Sequence, residues 1–252
     1  MIVKAIKTRK FKPPEDDLWD LLSAVLSLEE NSVVAVASKV VSIAEGRCIL
    51  QEKGGKDKLV IKEADKYLPR SLAPNEWIIH TIKNDLLIAS SGIDESNGAG
   101  YLILWPKNPQ KSAKKIWEFL RKKFKVSNLG VIITDSHCIP MRRGLVGISI
   151  AHFGFVPLRD YRGKKDIFGR RLNISLTDIP DSLASAAVLE MGEGNEQQPI
   201  AVITDVPYIQ FTEKEAQSKK PYSTFVIPEK EDLFYPFLSA LSWKKGGSGK
   251  TQ

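Results

Sequence analysis

Sulfur, histidine and long apolar runs are what this sequence has least of. Its two cysteines, Cys48 and Cys138, are too few for a disulfide framework or a cysteine-built zinc site. Cys138 follows His137, but neighbours in sequence rarely face each other productively, so no catalytic Cys–His pair is expected there. His80 ends an apolar run and His152 lies between Ala151 and Phe153; both read as packed side chains rather than ligands. No apolar stretch reaches the ~18 residues of a membrane span. The opening MIVKAIKTRKFKPPEDD carries charges where a signal peptide needs an apolar segment. The chain is therefore expected to be cytoplasmic, with no membrane partner.

Positive charge is what it does have, a formal net of +7. Such an excess suits nucleic acid, a membrane surface or small polyanions such as nucleotides and polycarboxylates. Much of it falls in KNPQKSAKKIWEFLRKKFK (107–125), where Ala113, Ile116, Trp117, Leu120 and Phe124 recur at helical spacing. The lysines then take the solvated face. Aromatics are not interleaved with them, so the segment reads as an amphipathic helix, and nucleic acid is not the expected partner. With 252 residues and 42% hydrophobic content, the chain can bury one large core or two smaller, closely joined ones.

The pattern of elements is mixed. Residues 2–6 form a short strand. Pro13-Pro14-Glu15-Asp16-Asp17 reads as a helix start, with Leu18, Leu21, Leu22 and Val25 as the buried face. Residues 33–37 are a strand running into SKVVSIAEGR, where Ser38 and Lys39 either bind phosphate or sit in a solvated turn; the spacing is no Walker loop. Residues 51–70 hold a β-connection and a short helix. Residues 77–81 and 85–89 look like paired strands, and 101–106 like another. Residues 144–175 carry five glycines among alternating apolar residues and dense charge at Asp160, Arg162, Asp166, Arg170 and Arg171, which suggests strands and salt-bridged loops. Thr177-Asp178-Ile179-Pro180 opens a small-residue helix through Met191 that stops at Gly192, and 200–203 is again a strand. The last residues, KKGGSGKTQ, imitate a phosphate loop. Lys244 stands where its first glycine must be and no helix follows, so the segment reads as a disordered terminus.

Two stretches carry chemistry. In VIITDSHCIPMRR (131–143) an apolar strand is expected to end at Thr134-Asp135-Ser136, ahead of Arg142 and Arg143. In LLIASSGIDESNG (86–98) another apolar strand leads to Asp94, Ser96 and Asn97. Two such Asp residues beside hydroxyl and amide groups suggest oxygen ligands converging on a hard cation. Asx-type turns closing two strands account for the same residues. Glu193 and Glu196, on a glycine-containing loop after a buried helix, either complete a metal site or form a solvated turn.

Read in order, SKVVSIAEGR (38–47), SGIDESN (91–97), VIITDSHCIPMRRGLVGISI (131–150), DYRGKKDIFGRRL (160–172), DSLASAAVLEMGE (181–193) and the Pro199 strand resemble the coenzyme F420-0:γ-glutamyl ligases over about residues 1–205. The resemblance implies an α+β (mixed α/β) fold of two closely joined subdomains forming an intertwined homodimer. Residues 1–212 would be the ligase-like domain, 213–243 an extension packed on it and 244–252 a disordered tail. It implies a nucleotide-dependent ligase, using GTP or else ATP with two divalent cations, Mn2+ or Mg2+. Carried over residue by residue, Asp94 and Asp135 would hold the first cation, and Ser136 and Glu193 the second. Ser38, Lys39, Asn97 and the 192–198 loop, with Gly192, Gly194, Asn195 and Glu196, would contact the nucleotide. Arg143 would join Asp94 and Asp135 in catalysis, and Arg142, Arg162 and Arg170 would bind carboxylates or phosphates.

The implied reaction is attack of an acceptor carboxylate on the γ-phosphate, followed by displacement of phosphate from the acyl phosphate by the amine of L-glutamate. The acceptor would be deazaflavin- or pterin-type. The sequence departs from the family at four places. Arg9-Lys10-Phe11-Lys12 replaces an apolar stretch, Ile43 a lysine, Ser136 a threonine, and 195–199 a more regular loop. Apart from the conservative change at Ser136, these fall at base recognition and acceptor binding rather than at the metal ligands. Folate polyglutamylation on the same scaffold is the alternative activity, and a non-catalytic nucleotide-binding relative the second alternative.

Overall fold

Five of the six residues of Ser32–Ala37 are buried, and the main sheet is built out from both edges of this strand. In the computed structural model, which describes residues 1–24, 27–52, 55–213 and 225–249, the chain runs β1 (Ile2–Ile6), α1 (Leu18–Ser23), β2 (Ser32–Ala37), α2 (Ser38–Ala44), β3 (Cys48–Leu50), α3 (Gly55–Glu63) and β4 (Lys66–Tyr67). It continues with β5 (His80–Lys83), β6 (Leu86–Ala89), β7 (Tyr101–Ile103), α4 (Pro109–Phe124), β8 (Leu129–His137), β9 (Val146–Phe153) and β10 (Leu158–Asp160). The remainder is β11 (Leu176–Asp178), α5 (Ile179–Met191), β12 (Ile200–Thr204), α6 (Tyr235–Ser239) and β13 (Lys244–Lys245). The expected mixed α/β class is what these elements form.

The main sheet has the order β1-β12-β2-β8-β9, with β2 and β8 parallel and the other pairs antiparallel. Alternation along β2 and β8 separates two cores. Val34, Val36, Val131 and Ile133 pack with Leu18, Leu21 and Leu22 of α1 and with Ala113, Ile116, Trp117 and Leu120 of α4. Val33, Ala35 and Ile132 face Leu183, Ala184, Ala187 and Met191 of α5. Helices thus cover both faces. A second sheet, β13-β4-β5-β6, and the β3–β7 pair lie beside α3, around a smaller core of Val60, Ile79, Ile93, Leu102 and Leu104.

The helical stripe read in 107–125 is the buried face of α4, capped by Asn108, whose side chain accepts from Lys111 N. α5 begins and ends where its capping signals lie, at Asp178 and Gly192. His152 is packed as expected, its ring 5.4 Å from those of Phe155 and Phe225.

Several readings need correction. α1 starts at Leu18, capped by Asp17, and the two prolines precede it; Val25 lies outside the described residues. Ser38–Ala44 is a helix, not a turn, because Val40 and Val41 are buried in the core against the sheet and that burial overrides their β-branched preference. The hairpin strand starts at His80 rather than Trp77, and Asn84 and Asp85 are its turn, both with positive φ, as a two-residue turn of primed type needs. β8 does not stop at Thr134: its ladder with β9 continues through Asp135, Ser136 and His137 after a register shift beyond Ile133. Residues 244–249 are not a disordered tail. Lys244 and Lys245 pair with β4, and the N–H groups of Gly246, Gly247, Ser248 and Gly249 donate to carbonyls of residues 61–65 at the end of α3. Donors spent in this way cannot cradle a phosphate.

The start of α5 predicts a pH effect. Asp178 caps the helix and accepts from Asp181 N at 3.0 Å. Burial and the Asp181 carboxylate push its carboxyl above the usual range. A folded-state pKa above the unfolded one adds stability at low pH that is lost as pH climbs from about 4 towards neutrality. Asp178→Asn keeps the capping oxygen and removes the charge. Urea denaturation across about pH 4–8 is expected to show a shallower decline for the variant and a higher midpoint than wild type near neutrality. Parallel curves would contradict the assignment.

Candidate active site

A cleft of about 750 Å³ opens where the central strands leave the main sheet. Its walls are the segment after β1 (8–13), the β2–α2 junction, the 92–97 loop, Trp105, the end of β8 and the 192–199 loop.

The register between β2 and β8 places Ala37 opposite Thr134, so Ser38 and Lys39 emerge beside Asp135 and Ser136. Asp94 arrives from the second sheet. Its backbone pairs with Ile103 through bonds of 3.0 and 2.8 Å, and the three residues Ser90, Ser91 and Gly92 before it all have positive φ. That conformation is costly for serine. It is held by Ser91 Oγ donating to Val60 O at 2.8 Å and Ser91 N donating to Thr81 Oγ1 at 2.9 Å.

Lys39 Nζ lies 2.7 Å from Asp94 Oδ2 and donates to Ser96 O at 2.8 Å. Ser96 N donates to Asp94 Oδ1 at 2.7 Å. Burial disfavours the Asp94 charge, but the Lys39 ammonium and the Ser96 donors outweigh it and hold the carboxyl below the usual range. Asp135 is the opposite case. Burial pushes it up to about 6, the Asp94 charge adds to this, and hydrogen bonds from Trp105 Nε1 and Ser136 N only partly offset it. Ser136 Oγ is 2.7 and 2.8 Å from the two Glu193 oxygens. Asn97 Nδ2 donates to Gly194 O at 2.9 Å and ties the 94 loop to the 192–198 loop, where Gly194 N donates to Glu196 Oε2 at 2.8 Å.

The structure therefore gathers Ser38, Lys39, Asp94, Asn97, Asp135, Ser136, Gly192, Glu193, Gly194, Asn195 and Glu196 in one cleft. It does not bring Arg143 there: Arg143 is exposed and outside the lining. Trp105, which touches Asp135 directly, has no place in the sequence reading. Its one polar signal is an indole N–H that needs a partner when buried.

Among the described residues, no three His, Cys, Asp or Glu side chains close into a ready metal cage. The donor set is nonetheless all hard oxygen, and the charge of the Asp94 carboxylate disfavours that of Asp135. Mg2+ and similar cations keep several waters and bind through one or two carboxylates plus substrate phosphates. The residues fit a cation held in that way.

Gly192 has φ +80° and ψ 168°, a region open essentially to glycine alone, and a Cβ there would meet the Glu196 carboxyl at 2.5 Å. Gly192→Ala is expected to cost about 1–3 kcal/mol in thermal denaturation. Gly194→Ala, whose Cβ would sit 3.3 Å from a movable Glu196 oxygen, should cost less. Equal losses would show that the loop does not depend on this conformation.

Comparison with known proteins agrees with the resemblance read in the sequence. Residues 5–205 match the family model for F420-0:γ-glutamyl ligase. A coenzyme F420:L-glutamate ligase of Methanopyrus kandleri is 37% identical over 207 residues, covering 75% of this chain and 81% of the relative. One from Methanococcus maripaludis is 35% identical over 230 residues, covering 84% and 91%. One from Methanosarcina mazei is 30% identical over 244 residues, covering 91% and 93%. With the cleft residues drawn from segments spread across the matched range, this chain belongs to the F420-0:γ-glutamyl ligase family of amide-bond-forming ligases.

Proposed function

We propose that this protein joins L-glutamate to a carboxylate of a coenzyme F420-0-like acceptor at the expense of a nucleoside triphosphate, with GTP the expected donor. The observation that supports this most is the convergence of Asp94, Asp135, Ser136 and Glu193 with Lys39 in one cleft. An acceptor carboxylate oxygen attacks the γ-phosphorus, the bond to the β-phosphate oxygen breaks, and NDP leaves. The glutamate nitrogen then attacks the acyl carbon, phosphate departs with the C–O bond electrons, and the nitrogen loses a proton. Phosphoryl transfer asks mainly for positioning and charge neutralisation. Two divalent cations, Mn2+ or Mg2+, would be held by Asp94 and Asp135 and by Ser136 and Glu193, and would supply that neutralisation when bound. Lys39, whose ammonium rests on Asp94 and Ser96, would add a positive charge beside the same phosphates, while Asn97 and the 192–198 loop would fix their position.

The subdomain and dimer readings belong to this proposal. The separate cores around the two sheets support two joined subdomains. Met141, Ile167, Phe168 and Ile174, each at least 83% exposed, sit on the arms that carry Arg143, Arg162 and Arg170. An intertwined homodimer covers such side chains, and Arg143 keeps a part in the reaction only across that dimer.

The test is mass spectrometry of purified protein with L-glutamate, Mn2+ or Mg2+, GTP or ATP, and either the deazaflavin precursor or a reduced folate. Glutamyl addition to the deazaflavin is expected. Addition to folate alone would reassign the acceptor, and no addition with nucleotide bound would favour a non-catalytic relative. Asp135→Asn, which removes one anionic oxygen pair, is expected to lower turnover at least about 100-fold with the fold intact, the equivalent of roughly 3 kcal/mol. Near-normal rates at low metal concentration would remove Asp135 from the metal site.

A further inference from the structure

Trp105 is 1% exposed and lies in the seam between the two sheets, packed with Ile88 of β6 and Ile148 of β9. Its indole N–H donates to Asp135 Oδ2, while Asp135 Oδ1 accepts from Ser136 N at 2.9 Å. Each carboxylate oxygen thus has one donor from the protein, which fixes the plane of a group whose terminal torsion is otherwise loose. Both donors are neutral. They orient the carboxylate without cancelling its charge, as a lysine or arginine in that place would.

The indole is itself held on several sides. Gly92 leaves room for it: a Cβ there would fall 2.2 Å from Trp105 Nε1 and 2.3 Å from Cε2. Arg47 Nε donates to the Trp105 carbonyl at 3.0 Å, and Lys83 Nζ stands 5.6 Å from the ring centroid. Both cations share Glu63, at 2.9 and 2.7 Å, and Glu63 is 5% exposed. A buried cluster of two cations and one carboxylate is a costly arrangement in which every member needs its partners. Here it anchors the residue that touches Asp135.

We infer that Trp105 is a positioning residue that sets the orientation of the Asp135 carboxylate towards a divalent cation, with Gly92 and the Arg47–Glu63–Lys83 cluster fixing the indole. The inference rests on the proposed role of Asp135 as a metal ligand. Partners that orient a ligating group typically change metal affinity by about 10- to 100-fold when removed. A purely structural tryptophan would alter stability but not that affinity, because phenylalanine keeps most of the ring packing and loses only the N–H.

The experiment is calorimetric titration of the purified full chain with MnCl2 in the presence of a saturating non-hydrolysable GTP analogue, for wild type, Trp105→Phe and Gly92→Ala, with circular dichroism to verify folding. The expected result is a Kd raised about 10- to 100-fold in both variants. Folded Trp105→Phe with the wild-type Kd overturns the inference alone. Wild-type protein without saturable Mn2+ binding overturns the proposed metal site, and this inference with it. A second measurement needs neither Trp105→Phe nor Gly92→Ala to fold. With Mg2+, one of the five tryptophan indole N–H resonances in a 15N spectrum is expected to shift saturably in wild type and to stay put in Asp135→Asn. No metal-dependent indole shift in wild-type protein that binds Mg2+ contradicts the inference.

Discussion

The parallel pairing of β2 with β8 sets Ala37 against Thr134, and from that edge two backbones leave side by side, one to Ser38 and Lys39, the other to Asp135 and Ser136. Side chains emerging from the carboxyl ends of adjacent parallel strands share a crevice, the usual place for a ligand in α/β sheets. Both strands are buried on both faces, by α1 and α4 on one side and α5 on the other, so their ends are rigid. The same helix that covers one face delivers the next wall, since α5 ends at Gly192 and the loop beyond it carries Glu193 to Ser136. The main sheet thus supplies nearly everything but Asp94 and Trp105, which come from the smaller sheet and the chain just beyond it.

Electrostatics explains why that second contribution must be held so firmly. The Asp94 charge disfavours ionisation of Asp135, and Lys39, in direct contact with Asp94, relieves Asp94 fully and Asp135 only in part. Left to itself a loop would swing one carboxylate towards water. The three left-handed residues at 90–92, the bridge between Asp94 and Ile103, and the indole on Asp135 prevent it. The repulsion kept in this way is what a cation with phosphate oxygens would relieve under the proposed metal role.

How much of this was legible in the sequence depended on the range of the interaction responsible. α4 and α5 could be read because periodicity and caps are local: Asn108 and Pro109 open one, Asp178 and Pro180 the other. α2 could not, because Val40 and Val41 resemble a strand until the core they enter is known. β8 was cut short because Thr134, Asp135, Ser136 and His137 look like a loop, while their strand character comes from backbone pairing with β9. The Gly-Gly-Ser-Gly segment at 246–249 read as disorder because its partners, the carbonyls of residues 61–65, are distant in sequence. Composition suggested oxygen ligands at Asp94 and Asp135, though only the family resemblance chose that reading over ordinary turns. Nothing local revealed that Trp105 reaches Asp135 or that Arg143 stays outside its own chain's cleft.

The departure at residues 9–12 gains a physical meaning from the same geometry. Arg9 is engaged by bonds of 2.8 Å to Asp16 and 3.0 Å to Asp20, and its guanidinium holds the Asp16 carboxyl down to about 2. Phe11 packs against the core, and Thr8 N donates to Gln197 O at 2.9 Å, fixing the segment to the 192–198 loop. Lys10 and Lys12 are both exposed and, with Arg9 and Phe11, lie on the cleft's lining. A wall that the family resemblance leads one to expect as apolar is here largely cationic. In the proposed reaction the anionic oxygens would serve bond formation, while residues 9–12, which the family resemblance puts at the nucleotide entry, would bear on base or acceptor recognition. On that proposal, a change of nucleotide or acceptor on this scaffold needs no change in Asp94, Asp135, Ser136 or Glu193, and residues 9–12 are one place where it would be written.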